Sequence, residues 1–191
     1  EADLDVTLYE KSALGEATSA ASMALFMWQR DHPADADLRR RAWAEYEALV
    51  DAGAVTFTRT GVVHVAETEA HLDKLTGLCA GLHALGREAE VLTPEEVGEL
   101  GLAPAAIAGG LYSPESGYLA ADEVVAYYAD RAREAGVDVE VGGEVTDVPT
   151  EDGAVVGVEV DGEPRDADVV VNAAGPWAVH LNEFAGASLP L

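Results

Sequence analysis

Lysine is nearly missing from this 191-residue chain: Lys11 and Lys74 are the only two. With arginine they make 11 basic side chains against 36 Asp and Glu, a formal net charge of −25. Binding nucleic acid by neutralising phosphates needs the opposite balance, and so does docking on an anionic lipid surface. No nucleic-acid or membrane-surface partner is therefore expected. Cysteine is just as scarce. Cys79 is alone, so neither an internal disulfide nor a cysteine-based zinc site can form, which fits a reducing cytoplasm. No apolar run approaches the roughly 18 residues of a membrane span, and no basic-then-apolar leader opens the sequence. His32, His64, His71, His83 and His180 show no metal-ligand spacing, so no metal site is expected. A G-x-S-x-G nucleophile motif is also missing.

What the chain has is 49% apolar residues. That suffices for one sizeable core, in a chain short for two full domains. The acid is spread along the sequence, through Asp35, Asp37, Glu45, Glu67, Glu95, Glu99, Asp130, Glu134 and Glu140 among others, not gathered in a tail. Such a surface repels itself and needs counterions, which reads as adaptation to high salt, with an ordinary acidic protein as the plainer alternative.

Patterning predicts a strand over residues 4–10, where Leu4, Val6 and Leu8 alternate up to Glu10, then a small, hydroxylated loop over residues 12–22. Residues 24–28 read as the start of a helix interrupted at His32-Pro33. Helices follow over residues 37–50, with Leu38, Ala42, Tyr46 and Leu49 on one face, and over residues 67–85, with Cys79 on its apolar side. Two strands, residues 54–58 and 61–65, separate them. Thr93-Pro94-Glu95-Glu96 carries a capping box. Residues 101–118, rich in Gly, Pro and Ala, read as mostly loop. A helix from Asp122 to Gly136 leads into strands over residues 137–141 and 144–148. Asp152-Gly153 and Asp161-Gly162 are hairpin signals. The valines of residues 167–172 suggest a strand covered on both faces, as in a parallel sheet.

An acid closing an early strand is the residue that, in dinucleotide-binding folds, hydrogen-bonds ribose hydroxyls. Glu10 fits that role. The accompanying G-x-G-x-x-G turn should stand about 20 residues earlier; it is absent, as if the sequence opened inside such a unit. The segment V-T-L-Y-E-K-S-A-L-G-E-A-T-S-A-A-S resembles the second strand and following loop of the D-amino acid oxidase family of FAD-dependent oxidoreductases. S-G-Y-L-A-A-D-E-V-V-A-Y-Y, the Gly-Val strand after it, and D-A-D-V-V-V-N-A-A-G-P-W-A followed by A-G-A-S-L-P-L resemble later motifs of that family, in the family's order.

The resemblance implies an α/β fold: part of a Rossmann-like FAD-binding domain, residues 1–25 and 119–191, with an inserted mixed α+β substrate domain, residues 26–118. It implies FAD as cofactor and hydride transfer to flavin from an amino acid or related amine. A dehydrogenase of a hydroxy compound and a truncated, non-catalytic module of the same fold are the alternatives. By resemblance, Glu10 would hold the adenosine ribose and Lys11 would face the adenine or a phosphate. Thr18, Ser19 and Ser22 would lie near the pyrophosphate or flavin, and the Val145 backbone would meet the adenine edge. Ala173, Ala174 and Gly175 would let backbone approach the cofactor, with Trp177 beside them. Each has a plainer role open to it: solvated strand end, polar loop, core valine, turn glycine, packed indole. Tyr112, Tyr118 and Trp28 either line a substrate pocket or are structural. A family member would be about twice this length, and the strand edges then left without a neighbour would favour self-association.

The charge itself generates a test. Circular dichroism melts across a KCl series should show a melting temperature that climbs toward molar salt, where screening shortens charge repulsion to about 3 Å. A melting temperature independent of salt would refute the halophile reading.

Overall fold

The computed structural model describes residues 4–29, 33–102 and 106–188. The predicted break at His32 and the last residues of the A-G-A-S-L-P-L motif lie outside them. Two compact units emerge: Glu1–Ser22 with Val125–Leu191, and Met23–Val124. The second boundary falls inside the helix Ala121–Glu134.

In the first unit, strand Thr7–Glu10 pairs in parallel with Asp138–Val141, Leu8 opposite Val139 and Glu10 opposite Val141. Main-chain bonds extend this ladder at both ends, from Asp138 N to Val6 O at 3.0 Å and from Gly142 N to Glu10 O at 2.7 Å. An antiparallel sheet has the order Glu163–Asp166, Gly157–Val160, Val145–Asp147. Asp161-Gly162 turns a hairpin of this sheet, and Asp152-Gly153 turns a separate two-stranded hairpin of Thr150–Glu151 with Ala154–Val155; φ is positive at all four residues, as type I′ turns require. Val148, Val158 and Val160 form the buried centre, with Tyr9, Val145, Val155 and Val170 packed against it.

Residues 167–172 do not form the predicted covered strand. Val170 packs inward, but Val169 and Val171 are 77% and 82% exposed. Valine content records a need for burial, whereas a strand also needs a neighbour to pair with; Ala167 N still bonds Val156 O, but among the described residues no strand pairs with residues 168–172.

The second unit holds two three-stranded antiparallel sheets. One has the order Leu25–Phe26, Gly117–Leu119, Phe57–Arg59; the other Val62–Ala66, Gly109–Ser113, Glu90–Leu92. Both central strands come from the region expected to be loop. Their glycines are there for close approach: a Cβ on Gly117 would stand 2.1 Å from Thr58 O, and one on Gly109 2.5 Å from Leu92 O. Residues 25–26, expected to begin a helix, are a strand, because a short apolar run satisfies either period and pairing with Gly117–Leu119 decides it.

The helix Pro33–Asp51 starts on a proline, which suits a first turn, and ends at Gly53. There Ala54 N bonds Leu49 O and Gly53 N bonds Val50 O, a Schellman closure. Thr68 caps Glu69–Ala84, and the Thr93–Glu96 capping box opens Pro94–Glu99 as expected. Four aromatic residues meet in one knot: Trp43 sits 4.8 Å from Phe26, 5.9 Å from Trp28 and 5.1 Å from Phe57, ring centre to ring centre. Leu75, Cys79, Leu82 and Leu111 complete that core. Burial, and secondarily the Glu90 carboxylate, push the Cys79 thiol pKa up. Leu38, expected on the buried face with Ala42, Tyr46 and Leu49, lies outside this core and is 65% exposed.

The register of the first long helix can be checked by chemical denaturation. Trp43→Ala should cost about 3–5 kcal/mol, the scale of a lost core aromatic. Leu38→Ala should change stability by no more than about 0.5 kcal/mol.

Candidate cofactor-binding site

The strand Thr7–Glu10 ends in a tightly wound turn. Ser12 N donates to Glu10 Oε1 at 2.9 Å, and Ala13 N donates to Glu16 Oε2 at 3.0 Å. Among the described residues nothing bonds the second oxygen of Glu10, Oε2, so one carboxylate oxygen is anchored and one remains available as an acceptor. The turn runs into a single helical turn, Thr18–Ala21, within the stretch expected to be loop. Thr18 and Ser19 are exposed there, and Ser22 Oγ donates to Ser19 O at 2.9 Å.

Lys11 follows Glu10 and reaches two other segments. Its Nζ lies 4.4 Å from the centroid of the Trp177 ring and 3.8 Å from Glu144 Oε1. Three distant stretches thus meet in one unit: the strand end at Glu10–Lys11, the 3-10 turn Gly175–Trp177 and the start of strand Val145–Asp147. Val145 follows Glu144 directly and stands on the edge strand of its sheet, so one side of its backbone has no strand partner among the described residues. Its side chain packs against the valine core beside Tyr9. Ala173 is exposed and Ala174 half-buried. Gly175 has φ +54 and open space where a Cβ would be, so conformation rather than crowding calls for glycine there.

Pattern reading missed one residue that holds this turn. Asn172 Nδ2 donates to Ala178 O and to Asn182 Oδ1, both at 2.9 Å, and Asn172 Oδ1 accepts from Ala174 N at 3.2 Å. The amide therefore ties the 173–177 segment to the helix Ala178–Phe184. Its signal was visible: an Asn directly after a valine run, where its side chain can satisfy the backbone of a turn.

Of the aromatics considered for a substrate pocket, Trp28 belongs to the buried aromatic knot at 5% exposure. Tyr112 covers Gly61. Tyr118 is exposed, opposite Leu25 on the central strand of its sheet.

A family model described as FAD dependent oxidoreductase matches residues 1–191. The chain belongs to this family. It is 28% identical over 196 residues to glycine oxidase of Geobacillus kaustophilus, covering 96% of this chain and 52% of that protein. A crystal structure of the same oxidase superposes with a TM-score of 0.78 at 27% identity, over 97% of this chain and 52% of that one. Subunit A1 of the anaerobic glycerol-3-phosphate dehydrogenase of Haloferax volcanii is 31% identical over 202 residues, covering 97% of this chain and 34% of that protein. L-proline dehydrogenase from P. horikoshii shares the fold, with a TM-score of 0.82 at 21% identity, over 95% of this chain and 49% of that one. The chain thus spans about half the length of the glycine oxidase and a third of the glycerol-3-phosphate dehydrogenase subunit. The fold is the α/β, Rossmann-like arrangement of FAD-dependent oxidoreductases. Among the described residues no helix is long and apolar enough to cross a membrane, and no group of His, Cys, Asp and Glu could hold a metal ion.

The family's FAD fits what the residues offer: one uncommitted carboxylate oxygen on Glu10, a free backbone edge at Val145 and open space at Gly175.

Asn172→Ala would leave the turn amide and the helix carbonyl without this partner. It should lower stability by about 1 kcal/mol in thermal or chemical melts, the value of a net hydrogen bond. Asn172→Asp, which keeps the acceptor for Ala174 N but turns a carboxylate oxygen toward Ala178 O and Asn182 Oδ1, should be at least as destabilising as Asn172→Ala.

Proposed function

We propose that the protein containing this chain is an FAD-dependent oxidoreductase that oxidises an amino acid or related amine. The observation that carries the reading is the convergence of Glu10–Lys11, Val145 and the Gly175–Trp177 turn at the end of the parallel strand pair. In this reading Glu10 accepts a ribose hydroxyl of the adenosine on Oε2, the oxygen not used by Ser12. The exposed edge of Val145 offers backbone groups to the adenine rim. Ala173, Ala174 and Gly175 keep the approach to the dinucleotide free of side chains, and Trp177 walls it. Thr18, Ser19 and Ser22 offer hydroxyls on the neighbouring turn. FAD, when bound, supplies the hydride acceptor for a C–H bond of the substrate; the protein orients the substrate and tunes the ring.

Likeness to glycine oxidase over 96% of this chain favours an amine or amino acid as donor. Likeness to the glycerol-3-phosphate dehydrogenase subunit over 97% of it supports a second reading, a hydroxy compound as donor. The charge of −25 supports a salt-rich cytoplasm as the setting.

The reading is tested on the full-length protein. Glu10→Ala should weaken FAD binding by roughly 1.5–3 kcal/mol, the range for hydrogen bonds to a charged group, with little change in apoprotein stability. Unaltered flavin affinity would remove Glu10 from the site. A flavin-bleaching screen with amino acids, N-methyl amino acids and 2-hydroxy acids separates the two donor classes.

A further inference from the structure

We propose that Lys11 is a positioning residue for the cofactor site, acting through the indole of Trp177 and not by contact with the cofactor. The inference rests on the adenosine-site reading above. Its starting point is where the ammonium goes. A lysine beside a ribose-binding acid is well placed to reach an adenine or a phosphate, yet Lys11 Nζ stands over the Trp177 ring at 4.4 Å, with Glu144 Oε1 at 3.8 Å. The cation closes a bridge between the strand end that carries Glu10 and the 3-10 turn that carries Ala174, Gly175 and Trp177.

The two contacts respond differently to salt. The Lys11–Glu144 pair is exposed, at 38% and 60% of the side chains, and separated charges of that kind are screened in concentrated salt. The indole face attracts the ammonium at short range and also packs the lysine stem, so this contact persists when the ion pair fades. Trp177 is in turn far less buried than the other two tryptophans: it is 42% exposed, whereas Trp28 and Trp43 are at 5% and 4%. Asn172 fixes the backbone of the turn; Lys11 fixes the ring. A ring held in this way presents a preformed wall to the adenosine, and pre-ordering a side chain before binding removes an entropy loss from the binding step.

The test is a double-mutant cycle on the full-length protein in molar KCl: K11M, W177L, the pair together, and K11R, each read by FAD titration of the apoprotein. K11M should weaken FAD about threefold to tenfold, and the double variant should be no weaker than W177L alone, since Lys11 acts through the ring. K11R, which keeps a cation over the ring, should bind like the unaltered protein. Acrylamide quenching gives a readout without flavin: the quenchable component that W177L abolishes should become more accessible in K11M and not in K11R. Additive effects in the cycle, or K11R as weak as K11M with W177L unaffected, would overturn the proposal and give Lys11 a direct bond to the cofactor. E10A in the same titration keeps the two readings apart. Weakened binding in E10A with an additive cycle defeats only the positioning role, while unaltered binding in E10A defeats the adenosine site itself.

Discussion

Eleven basic side chains face 36 acidic ones, and that imbalance governs how every surface segment of this chain can be held. Asp37 is shared between Arg40 and Arg41, and the Arg40 hydrogen bond keeps its carboxyl below the usual carboxylate range. Arg131 is matched with Glu134, and Arg133 with Asp130. These pairs are exposed and lie within single helices, so each contributes little. Among the described residues, two cations that join separate elements stand over aromatic rings, Lys11 over Trp177 and Arg87 over Trp28, each also pairing with a carboxylate, while Arg39 reaches the Met27 carbonyl. Where carboxylates repel one another everywhere, an indole is a partner that takes a cation without adding negative charge.

The stabilising work therefore falls on apolar contacts, and each unit solves this with different material. Met23–Val124 concentrates large rings, with Trp43 at the centre of a knot to which two helices and two sheets contribute. The other unit has a smaller centre of three valines and relies more on backbone: type I′ hairpins, the parallel ladder continued at both ends, and the Asn172 amide. The candidate site lies in this second kind of unit, where residues are placed by main-chain geometry more than by bulk.

That difference explains what could be read from the sequence. The Thr93–Glu96 box, the Asp-Gly hairpins and the helix stop at Gly53 were legible because their causes lie within a few residues of one another. The two central strands were not, because the reason for Gly109 and Gly117 is the nearness of Leu92 O and Thr58 O, residues far off in sequence. Locally the same glycines look like loop. Residues 25–26 and 169–171 failed for a related reason: apolar character states that a segment seeks cover, not which element supplies it. At the site, Glu10 was marked by its place at a strand end, and Ala173 to Trp177 only by resemblance. The contact between Lys11 and Trp177 spans most of the chain's length, and no local pattern announces it.

Cys79 carries a consequence of its own. It is the single thiol, set in the aromatic-lined core beside His83, with a pKa raised chiefly by burial. A thiol reagent meets the reactive thiolate only when that core opens, so the modification rate acts as a clock for the opening of this unit. The chain thus has a built-in, single-site chronometer of breathing motions, independent of flavin colour and of turnover. It could be read while salt, cofactor or substrate is varied, with no label engineered in.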